Sequence, residues 1–390
     1  MPPHRSNLPA PSIDAQALSA QLSALIAHEI QAAGGWISFA RYMELALYAP
    51  GLGYYSAGSR KLGEGGDFVT APEMSPLFAR CLARQLAQLH GEGLRAVLEI
   101  GAGSGALAVE LLLAMATRGC APERYLILEL SADLRQRQHE HLVRCAPALA
   151  QRVQWLDVLP DQFEGVVLAN EVLDATPAHL IRVTAEAIEE MGVTLASTDS
   201  AGGFTRAPRA ATGELLAVAS RLALPAGYET EINLSACALV TSLSRLLTRG
   251  VMLFIDYGFP AHEFYHPQRS AGTLMCHYRH HAHDDAFAFV GLQDITTHVD
   301  FSAVSAAAAA GGATLAGYTS QANFLLHCGI TDLLSLTPAS DTRAYAPLAA
   351  QAQKLLSPAE MGELFKVIAL SKNIDTPLLG FARGDKSHTL

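Results

Sequence analysis

Apolar positions along this chain follow two periods, and the change from one to the other divides it. From Ile13 the apolar residues Leu18, Leu22, Leu25, Ile26 and Ile30 recur at helical spacing until Gly34 and Gly35 stop the helix. "ISFARYMELALYAPGLGYYSAG" (37–58) reads as a second short helix followed by an aromatic, glycine-rich loop. Past residue 94 short apolar runs alternate with helical stretches, with strands expected at 95–100, 124–129, 152–156, 165–169 and 250–256. That rhythm predicts an α/β fold whose parallel strands are joined by crossover helices. After Asp174 it breaks. Residues 179–196 alternate like an antiparallel hairpin around Met191-Gly192, and "STDSAGGFTRAPRAATGE" follows as loop, so 178–235 reads as an insertion. A second irregular insertion, 258–300, is rich in histidine and aromatics. The last two strands are expected at 313–318 and 377–382, with a helix at about 357–371 opened by Ser357, Pro358 and Glu360.

Composition narrows the class. Half of the 390 residues are apolar and 16% are charged, which suits a sizeable buried core rather than global disorder. A formal charge of −10 argues against non-specific nucleic-acid binding and is compatible with a cationic target such as an arginine- or lysine-bearing segment. The six cysteines are scattered without a C-x-x-C pair, as expected in a reducing compartment with neither a disulfide frame nor a zinc site. The N-terminus has no apolar signal core, and its single Arg and early Asp fit a mitochondrial presequence poorly. "AVSAAAAAGGATLAGY" falls short of the roughly 20 residues a membrane span requires. These features predict a cytoplasmic protein with no membrane span.

The candidate chemistry begins at "AVLEIGAGSGAL" (96–107), where an apolar run feeds a cluster of glycines. Gly101, Gly103 and Ala106 fit the G-x-G-x-x-A dinucleotide fingerprint. Gly101, Gly103 and Gly105, with Glu99 before them, fit the E-x-G-x-G-x-G loop of methyltransferases that use S-adenosylmethionine. Glu99 favours the second reading, because a carboxylate there opposes a pyrophosphate but attracts an ammonium and a sulfonium. Glu129 ends the next strand, 26 residues past Gly103, where a ribose-binding acid is expected. Asp157 ends the third strand, where adenine-recognising polar groups sit in this fold. Each acid alone is more often a solvated strand-end charge; three on successive strand ends favour the methyltransferase loop.

In "VVLANEVLDATP" (166–177) a buried strand ends at Asn170-Glu171, and Asp174 follows one turn on. The same residues also suit a helix start, with Asn170 as cap and Glu171 as first-turn acid. Here the chain resembles a family. "GDFVTAPEMSPLF" (66–78), "LEIGAGSG" (98–105), "ANEVLDATP" (169–177), "IDYGF" (255–259), "GTLMCHYRHH" (272–281) and "FVGLQDITTHVDF" (289–301) resemble the MidA-type methyltransferases. The family includes bacterial members and a mitochondrial complex I assembly factor that methylates an arginine. The resemblance runs from about Ile37 to Phe381, and the non-mitochondrial N-terminus favours a bacterial member.

The resemblance implies a Rossmann-like class I methyltransferase fold: a mostly parallel seven-stranded sheet with helices on both faces, plus the insertions. It implies S-adenosyl-L-methionine as cofactor and a protein substrate with an exposed arginine. The chain then divides into a mobile tail (1–12), a helical, cofactor-covering region (13–93) and the core (94–390). A guanidinium acceptor calls for facing carboxylates, which Glu171, Asp256 and Asp174 supply beside Asn170. Asp256 serves equally as a strand-end acid capping the next turn. The "GGDFVTAPE" loop would cover the cofactor, with Phe68 against it and Thr70 hydrogen-bonded to it, or be purely structural. Arg279 and the histidines His277, His280 and His281 in "CHYRHHAHDD" are read as lining the target cleft, rather than the histidines as metal ligands. Two other classes remain: a cofactor-binding assembly factor with little catalysis, and an NAD-dependent oxidoreductase. A homo-oligomer is compatible with all three.

Overall fold

The computed structural model describes residues 8–57, 70–196 and 203–390, and the chain forms two units interleaved in sequence. One contains Val69–Val172, Leu239–Pro260 and Asp300–Leu390. Its strands are β1 (Ala96–Ile100), β2 (Arg124–Leu128), β3 (Val153–Leu156), β4 (Phe163–Asn170), β5 (Leu247–Phe259), β6 (Thr314–Ser320) and β7 (Phe365–Lys372). They lie in the order β6-β7-β5-β4-β1-β2-β3, and a two-residue strand off this path makes eight. From β3 through to β5 neighbouring strands are parallel, whereas β7 runs antiparallel to both β5 and β6. The expected α/β architecture is present, and its sheet is mixed rather than parallel throughout.

Burial on both faces explains the near-continuous apolar strands. Val97, Tyr125, Val166, Leu168, Leu253 and Ala369 share a core with helices α1 (Pro76–Gly91) and α2 (Ala106–Thr117). The alternate residues Leu98, Leu126, Val167, Met252 and Ile368 are buried on the opposite face. Helix α3 (Ala132–Cys145) follows β2 and starts at Ser131, whose hydroxyl accepts the Leu134 N–H. At the base of the sheet Gly165 of β4 faces Gly250 of β5, with φ of 150° and 148°.

The end of the chain corrects the sequence reading. Helix α4 (Thr342–Leu356) ends where a helix was expected to begin, with Ser357 at its C-terminus. The expected helix at 357–371 is instead turns and then β7, and the expected strand at 377–382 contains one 3-10 turn, Leu379–Phe381. "FKVIALSK" is buried at nearly every position, so no alternation marks it as a strand.

The other unit contains Met1–Phe68, Leu173–Ala238 and Ala261–Val299. Helix Ile13–Ala32 is capped by Ser12 and buries Leu22, Ile26 and Ile30, as its spacing predicts. Strand Ile188–Leu195 pairs antiparallel with Ile37–Ser38, His179–Val183 and Phe204–Ala210, and Glu229–Ile232 adds to the sheet beside His179–Val183. The expected hairpin exists, but it turns at Thr184–Ala187 rather than at Met191-Gly192. Gly192 lies inside the strand because a Cβ there would sit 2.1 Å from the Trp36 ring. Residues 204–210, expected as loop, are a strand. The histidine-rich stretch holds a small sheet, with Met275–Tyr278 between His281–His283 and Asp294–Thr296. Among the described residues no group of three or more His, Cys, Asp or Glu is arranged to hold a metal. No described helix is long and apolar enough to cross a membrane.

Candidate active site

The sheet order reverses between β1 and β4: β2 and β3 extend it one way, β5 the other. At such a switch point the loops leaving the two strands diverge and open a crevice at their carboxyl ends. The glycine loop leaves β1, and Asn170-Glu171 leave β4. Gly101, Gly103 and Gly105 have φ of 66°, 53° and 79°, a left-handed path that residues with a Cβ follow at a cost. A Cβ on Gly101 would lie 3.2 Å from Val172 Cγ2, so this loop and the turn after β4 are in contact. Gly105 caps α2, whose free N–H groups carry the positive end of the helix dipole.

Glu99 lies on β1, 2% exposed, and its Oε2 accepts the Tyr125 hydroxyl at 2.6 Å. Burial pushes its carboxyl up to about 7; the Tyr125 hydrogen bond opposes the rise, and the nearby Glu129 charge adds to it. Tyr125 was not singled out in the sequence, although a tyrosine inside the buried run "YLIL" is a polar group needing a partner. An acid whose folded-state pKa is raised stabilises the fold below the unfolded value. That contribution fades as pH rises through the folded value. Glu99→Gln is therefore expected to flatten the stability profile between about pH 4.5 and 7, by up to about 3 kcal/mol. Denaturant titrations at several pH values measure this; an unchanged slope would show that Glu99 ionises freely.

Glu129, just beyond β2, is 8% exposed; Oε1 accepts the Ser131 N–H at 3.0 Å and Oε2 the Gln138 amide at 3.1 Å. Its pKa is raised, chiefly by burial. Asp157, just beyond β3, has an 87% exposed side chain paired with Arg135 at 2.8 Å. Beside these two acids stand Leu130 and Val158, 77% and 74% exposed, large apolar side chains left open at the carboxyl edge. A sequence scan for polar groups passes over such residues.

No helix begins at Asn170, so the helix-start reading of Asn170-Glu171 fails. Instead Glu171 takes a left-handed φ of 53°, and its N–H bonds Ile255 O at 2.9 Å. Asn170 Nδ2 donates to Glu171 Oε1 at 3.0 Å, while Asn170 Oδ1 is buried with no hydrogen-bond partner among the described residues. Asp256 is 1% exposed and lies inside β5, which continues past the expected end at 256 to Phe259. Its Oδ2 accepts the Val172 N–H at 3.2 Å and its Oδ1 the Tyr257 N–H at 2.9 Å. Asp256 thus anchors the turn that presents Glu171. Asp174 belongs to the other unit, 5% exposed, where its carbonyl accepts the Thr297 N–H at 3.0 Å. Thr70 is the N-terminal cap position of the short helix Ala71–Met74, without a side-chain cap bond. Phe68 lies outside the described residues.

The buried Glu99 carboxyl, the left-handed glycine loop and the exposed apolar pair beside Glu129 together fit a nucleoside ligand with a polar, cationic end. Comparison with known proteins agrees. Residues 77–319 match the family described as "Putative S-adenosyl-L-methionine-dependent methyltransferase". The mouse and human mitochondrial proteins named protein arginine methyltransferase NDUFAF7 are 29% and 28% identical, over 86% of this chain and 81% and 80% of theirs. A Burkholderia thailandensis crystal structure, described as a "likely methyl transferase" bound to S-adenosyl-homocysteine, is 54% identical with a TM-score of 0.95, covering 98% of this chain and 100% of that one. The glycine loop is therefore not a dinucleotide site: this chain belongs to the S-adenosyl-L-methionine-dependent methyltransferase family.

Proposed function

We infer that this protein transfers a methyl group from S-adenosyl-L-methionine to an arginine side chain of a protein substrate. The observation that carries the reading is the Asn170-Glu171 turn. It places a carboxylate and a buried, unpartnered carbonyl oxygen beside the crevice, in a backbone conformation that costs about 1–3 kcal/mol and is held by Asp256. The names of the mitochondrial relatives support an arginine acceptor.

The residues present suit the donor. Gly101, Gly103 and Gly105 permit close backbone approach, and Glu129 is the acid for the ribose hydroxyls. Leu130 and Val158 offer apolar cover for adenine, with Asp157 at its polar edge. Glu99 compensates positive charge. Bound there, the donor supplies a methyl carbon activated by the adjacent sulfonium. Glu171 accepts N–H bonds from the guanidinium and draws its positive charge toward the carboxylate side. This leaves the remaining nitrogen better able to attack. When that nitrogen gains its bond to the methyl carbon, the carbon–sulfur bond would break with its electron pair on sulfur, leaving S-adenosyl-homocysteine, and the nitrogen would lose a proton that a Glu171 oxygen takes and passes to water. Asn170 Oδ1 fixes a further N–H, and Asp256 keeps both side chains in place.

The test uses donor labelled in the methyl group, incubated with the protein and a cell lysate, followed by mass spectrometry of labelled proteins. Label on arginine is expected, with calorimetric binding of S-adenosyl-homocysteine and none of NAD. Label on lysine or on a small molecule would replace the acceptor. Donor binding without any transfer would favour the assembly-factor reading.

A further inference from the structure

One face of α3 ties three strand exits together. Gln138 is 1% exposed, and its Nε2 donates to Gly103 O at 2.9 Å and to Glu129 Oε2 at 3.1 Å. Its Oε1 accepts the Trp155 indole N–H at 2.8 Å. One turn earlier Arg135 donates to Glu129 O at 2.5 Å and Leu156 O at 2.6 Å; one turn later His141 Nδ1 lies 3.3 Å from Ser104 O. The chemistry dictates how the Gln138 amide points. An indole N–H can only donate, and a carbonyl and a carboxylate can only accept. A flipped amide would leave all three contacts mismatched. Gln138 therefore joins the glycine loop after β1, the acid after β2 and the tryptophan of β3 in one orientation. The backbone at Gly105 packs directly on it, since a Cβ there would meet Gln138 Cα at 3.3 Å.

We propose that Gln138 is a positioning residue for cofactor recognition. By holding the Glu129 carboxylate and the Gly103 carbonyl in one fixed arrangement, it makes the site selective for an intact ribose diol. This rests on Glu129 as the ribose acid. Ser131 occupies one carboxylate oxygen and Gln138 the other, so the lone pairs left for ligand hydroxyls point where these two contacts set them. Without Gln138 the carboxylate keeps its charge but loses its fixed direction.

The experiment is calorimetric binding of S-adenosyl-homocysteine and of its 2′-deoxy analogue to wild type, Glu129→Ala, Gln138→Met and the double variant, with melting temperatures recorded. Wild type is expected to prefer the intact ribose by about ten- to a hundredfold, the range of a charge-assisted hydrogen bond. In Gln138→Met, which keeps the length without the hydrogen bonds, the preference should fall to within about threefold. It should fall likewise in Glu129→Ala, and no further in the double variant. If wild type shows no preference, the ribose reading of Glu129 and the proposal fall together. If Glu129→Ala loses the preference but Gln138→Met keeps it, the ribose reading stands and the proposal is overturned, whatever the melting temperature does. Should Gln138→Met not fold, Gln138→Asn keeps the amide on a side chain one methylene too short to span its three partners. It should reduce the preference severalfold, and an unchanged ratio there would equally overturn the proposal.

Discussion

Replacing Glu171 by glutamine is expected to slow single-turnover methyl transfer by about a hundredfold or more, the scale seen when one preorganised electrostatic group is removed. Affinity for S-adenosyl-homocysteine should stay within about twofold, because the glycine loop and Glu129 are untouched. Glutamine keeps the side-chain length and can adopt the same left-handed backbone at φ 53°, so the turn itself should survive. It loses the charge that orients a guanidinium and the basicity that receives its proton. Since no helix starts at Asn170, the variant also loses no helix-dipole stabilisation, and its melting temperature should scarcely move. Rapid-quench methylation, calorimetry and thermal melting on this variant decide the matter. Near-normal transfer would remove Glu171 from the chemistry.

Gly250→Ala should destabilise the protein by more than about 4 kcal/mol, a range reserved for severe packing or backbone faults. Gly250 opposes Gly165 across β4 and β5, and a Cβ on it would lie 1.9 Å from the Gly165 carbonyl oxygen. The obstacle is backbone within a parallel pair, so no rotamer change relieves it. Gly119→Ala is the milder comparison. Its φ of 71° lies near the left-handed region that alanine enters at a modest cost, and nothing lies within 4 Å of the added methyl, so its cost should be about 1 kcal/mol. Urea unfolding of both variants compares an open left-handed site with one that is both more strained and blocked by backbone. Equal losses would mean that the strands shift apart without penalty.

What was legible in the sequence shares one physical property: it depends on residue type more than on distant contacts. The glycines at 101, 103 and 105 announce a left-handed loop because few other residues tolerate it. Glu99, Glu129, Asp157 and Asn170 fall at or near strand ends because β1 to β4 lie within two residues of their expected positions. The contacts that give those groups direction were not legible. Tyr125 reaches Glu99 because β2 pairs with β1 in a register that puts both side chains on one face. Gln138 reaches three partners because α3 folds back over all three strand exits. The gathering of Leu173–Ala238 with the N-terminal helices rests on long-range pairings such as Ile37 with Val193, which no local pattern marks. β7 was missed for the opposite reason, since a segment buried on both faces shows no period at all.

The place of β7 bears on how the chain is made. This strand, the last of the seven to emerge from the ribosome, is inserted between two that emerge before it. Until Lys372 is out, β6 has no partner in the sheet, and one edge of β5 holds unsatisfied N–H and C=O groups beside Met252, Phe254 and other apolar side chains. Closing that gap also carries the chain-entropy cost of contacts far apart in sequence, which slows it. A nascent chain that ends before Phe365 thus leaves an adhesive strand edge open to neighbouring chains, the kind of exposure that favours aggregation over folding.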